Sequence, residues 1–183
     1  MEVKKTKDNV EALLEKMRRL TDTEVFVGIP EEKGDRQEGA MTNAQLAYIH
    51  EFGSPAANIP ARPFIHPGIR KAKSAITAIM KKGAQEALSS KDKNAGMDVF
   101  EKVGMTARNF VVREITNPDP AFAPLKAGTV RARLRKTAAG RRKLKTLTKD
   151  GLKQWAQGNI KPLIDTGQLR AAITYVVRKR GAK

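Results

Sequence analysis

The stretch VEALLEKMRRLTDTEVFVGI, Val10–Ile29, decides the fold class. In its first half Val10, Leu13, Leu14, Met17 and Leu20 recur at helical spacing and line one face of a helix. Asp8 and Glu11 have the spacing of a capping box at its start. Thr21-Asp22-Thr23 reads as a turn, and Glu24–Ile29 as a short strand ended by Pro30, which cannot donate to a ladder. At the other end, KPLIDTGQLRAAITYVVRKRGAK (161–183) reads as a turn, a short helical turn and a strand. There Ile173, Tyr175 and Val177 alternate with Thr174, Val176 and Arg178. The reading is α+β: a small antiparallel sheet packed with several helices, with a Pro-rich arm and a basic helical insertion.

The chain between these ends is mostly helical in pattern. Residues 31–41 are charged and aperiodic, and read as an exposed loop. Thr42 and Gln45 form a capping box for NAQLAYIHEF, whose Leu46, Ile49 and Phe52 are expected inward, with Gly53 as the C-terminal cap. SPAANIPARPFIHP carries prolines at 55, 60, 63 and 67 and reads as a stiff, non-helical arm or loop. Pro67 suits the first position of a helix over about 67–89, with Ile69, Ala72, Ile76, Ile79 and Met80 on one face. A break from Ser89 to Gly96 precedes a second helix, about 97–116, carrying Met97, Phe100, Val103, Ala107, Phe110, Val111 and Ile115 and stopping at Asn117-Pro118. Thr129–Lys136 and Arg142–Gln157 have helical potential but few apolar residues, and are expected to stay mobile until bound. The chain has no internal repeat, and is expected to form a single domain over 1–183 that includes the Pro-rich loop 54–67 and a basic insertion 126–150.

Composition narrows the function. A chain of 183 residues buries roughly 70% of its unfolded surface, enough for a core without staples. Cysteine is absent, which excludes disulfides and thiolate metal sites. No run approaches the roughly 18 apolar residues of a membrane span, and the N-terminus lacks the apolar stretch of a signal peptide. A soluble intracellular product is expected. Net charge is +17, from 36 Lys+Arg against 19 Asp+Glu. Residues 1–60 hold 8 basic and 11 acidic residues, so the remainder holds 28 against 8. Lys126 to Lys149 contains ten basic residues and no acid. Such a block must face solvent, an acidic partner or nucleic acid, because unpaired buried charge is too costly.

Enzymatic chemistry is hard to assemble from this inventory. His50-Glu51 opens like a zinc-protease helix, but the required second histidine falls at Ser54, and His66 is the only other histidine. There is no phosphate-binding glycine loop and no nucleophile elbow. Asp165-Thr166-Gly167 is the tripeptide of aspartic proteases, which use two aspartates sharing a proton. Only 16 residues follow Gly167, five of them basic, too few for the cleft and flap of such an enzyme. The plainer reading is a structural turn, with Asp165 and Thr166 capping a short helix begun at Gly167. No catalytic residue, metal ligand or cofactor site is expected.

Three stretches occur in order: AYIHEFGSP…IPARPFI, PLKAGTVRARLR and LIDTGQLRAAITYVV. The carrying residues are Ala47, Glu51, Phe52, Gly53, Ile59, Pro60, Arg62, Pro63, Phe64, Pro124, Leu125, Thr129, Asp165, Thr166, Gly167, Leu169 and Ile173. With the opening helix and VFVGIPE, this set resembles the tail-completion and virion-morphogenesis proteins of long-tailed bacteriophages, also called neck or tail-to-head joining proteins. The resemblance implies a non-catalytic virion subunit without a cofactor, assembled in the host cytoplasm. It implies a homo-oligomeric ring, hexameric by the usual tail symmetry, meeting the head connector and the tail tube or terminator proteins. A tail-terminator ring is the neighbouring role.

Ile59, Pro60, Arg62, Pro63, Phe64 and Ile65 are then candidates for an intersubunit or head–tail contact, Arg62 able to fork onto a carboxylate or carbonyl. The bland alternative is a loop tucked onto its own domain. Arg131, Arg133, Arg135, Lys136, Arg141, Arg142, Lys143 and Lys145 are candidates for packaged DNA or an acidic partner. Contact with DNA would be electrostatic and sequence-tolerant, since the block has no aromatic residue to stack on bases. A nonspecific nucleic-acid binder explains the charge but not the IPARPF stretch, and a hydrolase on Asp165 explains one tripeptide.

Overall fold

A computed structural model describes residues 10–30, 41–90, 96–118 and 121–181. The elements run α1 (Val10–Thr21), β1 (Thr23–Gly28), α2 (Asn43–Phe52), α3 (Ile65–Ser89), α4 (Val99–Thr116), α5 (Ala127–Arg135), α6 (Ala138–Thr146), α7 (Lys149–Asn159), α8 (Gln168–Ala172) and β2 (Thr174–Lys179). The α+β class holds: helices dominate, and the two strands pair antiparallel. The proposed Asp8 cap and most of the 31–41 loop lie outside the described residues, as does most of the break before α4. The chain divides into two compact units, and α3 and α4 contribute to both.

The first unit comprises Met1–Gly28, Ile69–Phe110 and Thr174–Lys183. Its sheet pairs the two ends of the chain, with Val25 opposite Val177 and Phe26 opposite Val176. Arg178 lies 4.2 Å over the Phe26 ring, a cation–π contact on the exposed side. The core is built largely of small residues. Ala72 and Ala87 of α3 are buried, as are Val99, Phe100, Val103 and Ala107 of α4. A methyl group on Gly83 would stand 2.5 Å from Val99 Cγ2, so the missing side chain lets α3 and α4 approach closely. The Tyr175 hydroxyl donates to Glu101 Oε2 at 2.8 Å. The apolar face of α1 follows the expected pattern, yet none of its residues is buried: Val10, Leu13, Leu14 and Met17 are 41–60% exposed.

The second unit comprises Ile29–Gly68 and Val111–Ile173. Phe64, Val111, Ile115, Val130, Leu152, Leu163, Leu169 and Ile173 form its apolar interior. The capping box of α2 is present, with Gln45 N donating to Thr42 Oγ1 and Thr42 N to Gln45 Oε1. The inward face of α2 differs from expectation. Asn43, Ala47 and Glu51 are buried and the expected Leu46 and Ile49 half-buried, whereas Phe52 is 58% exposed, its ring tilted against that of Tyr48 at 4.8 Å. The small Ala47 allows close packing, and that rotation turns Glu51 inward.

The basic stretch corrects a second expectation, because it is folded. α5, α6 and α7 pack through Val130, Gly140 and Leu152, with Thr137 and Thr148 as side-chain N-caps of α6 and α7. Few apolar residues suffice because the helices meet closely: a methyl on Gly140 would fall 2.1 Å from the Leu134 carbonyl oxygen. The expected helix over Arg142–Gln157 is two helices, divided where Thr148 starts a new one.

Candidate functional site

The residues that drew attention in the sequence lie in the second unit, and several of them bond to its own backbone. The Pro-rich stretch is the tucked loop, not a free arm. Ser54 and Ile59 bridge it with reciprocal hydrogen bonds of 2.9 Å. Asn58 takes the left-handed φ of 53° at the turn between them. Gly53 stands at φ 78°, and any side chain there would meet Ala61 N at 2.9 Å, so glycine is required. Arg62 N donates to the His50 carbonyl, which closes the loop onto the end of α2.

Glu51 then fixes the start of α3. Its Oε2 accepts from Phe64 N at 2.8 Å and Ile65 N at 2.9 Å, and its Oε1 accepts from His66 N at 3.0 Å. His66 Nδ1 lies 2.6 Å from Oε1. The carboxylate is thus a non-local cap for α3, placed where the helix dipole favours negative charge. Burial pushes the Glu51 carboxyl upward, but the bonds from the His66, Phe64 and Ile65 backbones and the His66 ring outweigh it, so its pKa lies below 4.5. This cap also explains why α3 starts at Ile65 and not Pro67. Pro67 falls in the first turn, where its missing N–H is harmless.

Two expected contact residues are internal. Phe64 is fully buried. Arg62 is buried too, its guanidinium forking onto the carbonyls of Ala123 at 3.0 Å and Pro124 at 3.2 Å. A fork onto carbonyls is realised, but within the chain. Phe64 is therefore not the tip of a reaching arm, since the Glu51 cap draws its backbone inward. Pro60 and Pro63 are exposed, and Ile59 and Ile65 half-buried.

Arg133 also belongs to the interior frame. It donates to the carbonyls of Lys161 at 2.9 Å, Pro162 at 2.8 Å and Ile164 at 3.1 Å, with Asp165 at 3.8 Å. Burial lowers its pKa, and Asp165 opposes the shift. Burial, then the nearby Arg133 charge, lowers that of Arg62. Lys136 pairs with Asp165 at 2.8 Å. Asp165 is therefore an ion-pair acceptor and not the expected cap of α8, because the two cations beside it hold its carboxylate. Gly167 supplies the turn at φ 81°, and of the two expected caps Thr166 alone reaches α8, its Oγ1 accepting from Gln168 N at 3.5 Å. The remaining cations are outward. Arg135, Arg141, Arg142, Lys143 and Lys145 are exposed and Arg131 is half-buried, with no acidic partner for these six among the described residues. Arg141, Arg142, Lys143 and Lys145 surround the solvent side of α6, opposite Gly140 and Leu144.

A cleft in the same unit was not anticipated from the sequence. It has a volume of about 860 Å³, between residues 121–125, which form no helix or strand, and α7. Phe122, Leu125, Ala156 and Ile160 give it apolar walls, and Lys126, Lys153 and Lys161 stand among its lining. The signal was present in the spacing of Lys153, Ala156, Gln157 and Ile160, which share one face of a helix. Its other wall comes from a segment without periodicity.

Among the described residues no group of three His, Cys, Asp or Glu could hold a metal ion, and no helix is long and apolar enough to cross a membrane. No family model matches the chain, and no solved structure matches it. One curated protein, an uncharacterized protein of Methanocaldococcus jannaschii, is 44% identical over 46 residues. That similarity covers 25% of this chain and 34% of the archaeal protein.

Proposed function

We propose that this chain is a non-catalytic structural subunit of a bacteriophage neck or tail end, completing the tail and joining it to the head connector in the virion. The observation that carries the reading is the fate of the polar residues in the resembling motifs. Glu51, Arg62 and Asp165 are the groups that could have offered chemistry, and each is committed to backbone or ion-pair bonds inside one unit. Their neighbours Phe64, Leu169 and Ile173 are its core. A frame of fixed polar bonds around an apolar core supports the reading of the ordered motifs as those of a structural subunit. A tail-terminator ring would use the same frame, and the two roles differ in whether tube length or head joining fails without the protein.

The test is electron cryo-microscopy of particles produced by a phage lacking this gene. Separate filled heads and free tails, rejoined on adding the purified protein, are expected. Normal joined particles would overturn the proposal. Tails of uncontrolled length would favour the terminator role.

A second reading, nonspecific nucleic-acid binding, is favoured by the helix α6. It exposes Arg141, Arg142, Lys143 and Lys145 and carries no acid. Such a helix attracts polyanions with steep salt dependence and without base readout.

A further inference from the structure

We infer that the cleft between residues 121–125 and α7 is a docking groove for an extended, acidic peptide segment of a partner protein. Three features of the groove choose this occupant. Its walls are apolar at Phe122, Leu125, Ala156 and Ile160, so a bulky side chain entering it would leave water. Its charged lining among the described residues is cationic: Lys126, Lys153 and Lys161 are exposed, and no carboxylate of the described residues stands with them. Lys126 Nζ donates to the Asn58 carbonyl and Lys161 Nζ to Asn117 Oδ1, and neither amine has an acidic partner among the described residues. Lys153 has no acidic partner among the described residues.

The third feature separates a peptide from other amphipathic anions. Residues 121–125 belong to no helix or strand, and their carbonyls at Ala123 and Pro124 are taken by Arg62. The N–H groups of the lining residues Ala121, Phe122 and Leu125 find no acceptor among the described residues. An extended peptide brings backbone carbonyls at strand spacing to such donors. Its alternate side chains can enter the apolar groove while its carboxylates meet the lysines. A fatty acid supplies the tail and one carboxylate but nothing for the amides. This inference is independent of the virion role and stands or falls with the groove.

The experiment titrates the full chain with three probes. One is a short blocked peptide alternating glutamate with leucine and phenylalanine, one its lysine-for-glutamate counterpart, and one dodecanoate. Affinity is read by calorimetry, and the contacted residues by amide chemical shifts. The acidic peptide is expected to bind, with the largest shifts at the amides of Phe122 and Leu125. Lys153→Glu should weaken it about tenfold, since reversing an exposed charge removes one attraction and adds one repulsion. Because Lys153 is exposed, that variant should keep the wild-type circular dichroism; Lys153→Gln, with a smaller loss, serves if it does not. Equal binding of the two peptides, failure of the acidic peptide to bind, or shifts confined to α6 would each overturn the inference. Dodecanoate binding as tightly and displacing the peptide would overturn it in favour of an acyl site.

Discussion

A carboxylate that accepts three backbone N–H groups and an imidazole N–H has exchanged its water for fixed donors, so protonating it leaves those donors unmatched. That is the position of Glu51. Its folded pKa lies below its ordinary value of 4.5, so its contribution is complete above that value and is lost as pH falls through the folded pKa. Glu51→Gln removes the charge and supplies a poor acceptor, and should destabilise the chain by about 2 kcal/mol at neutral pH. The difference in urea midpoint between wild type and variant should shrink as pH drops below 4.5. A difference that is constant from neutral to acid pH would show that the carboxylate charge is not what caps α3. Phe64 sits on the amide that Glu51 holds and is fully buried, so Phe64→Ala should destabilise by about 3–5 kcal/mol. Pro63→Ser, at the exposed neighbour, should change stability by less than about 0.5 kcal/mol. Equal unfolding midpoints for the two variants would return Phe64 to the outside of the fold. Pro60 and Pro63 are consequently the residues at which an outward contact of this loop is to be sought.

At the scale of elements, legibility in the sequence tracks the range of the interactions. Local signals were legible: the Thr42–Gln45 box, the Gly53 cap, the helical stripe of α1 and the alternation of β2 all act within a few residues. Signals acting across the chain were not. The start of α3 depends on a carboxylate more than a dozen residues upstream, and the order of α5 depends on Arg133 reaching the carbonyls at 161–164. Composition alone made the basic stretch look too polar to fold, because it weighs apolar residues and not a guanidinium satisfied by three carbonyls. Half of the candidate site was likewise legible. The cationic character of α6 is plain in the sequence, whereas the assignment of Arg133 and Lys136 to Asp165 needs the fold. Neutralising Arg141, Arg142 and Lys143 together therefore tests the exposed charge without touching the Asp165 pairs, with the loss of one bond, from Arg141 to the Arg135 carbonyl at 2.9 Å. If α6 meets DNA, duplex affinity should fall and the salt slope should flatten by up to roughly 3 units. An unchanged slope would assign these cations to a protein partner or to solvent.

For the whole molecule, the first unit poses the question of what covers its apolar surface. Its buried core relies on Ala72, Ala87 and Ala107 beside a few larger residues, while Val10, Leu13, Leu14, Met17, Phe26, Leu88, Met105 and Val176 are exposed. Isolated apolar side chains on a surface are ordinary, but α1 presents four of them along one helical face. A helix of twelve residues gains little stability from propensity alone, so a face of this kind is sustained by what it packs on in the working state. In a joining subunit that surface would be a neighbour in the assembly. Replacing Leu13 and Leu14 by glutamate together should then act on assembly and not on folding. The isolated chain should keep its unfolding midpoint to within about 0.5 kcal/mol, because neither side chain is buried in it. Added to heads and tails from a phage lacking the gene, the variant should fail to join them where the wild-type protein succeeds. Joining at the wild-type level would remove α1 from the interface. A large loss of stability in the isolated chain would mean that the face is covered within the molecule itself, and the search for the docking surface would move to the exposed prolines of the loop.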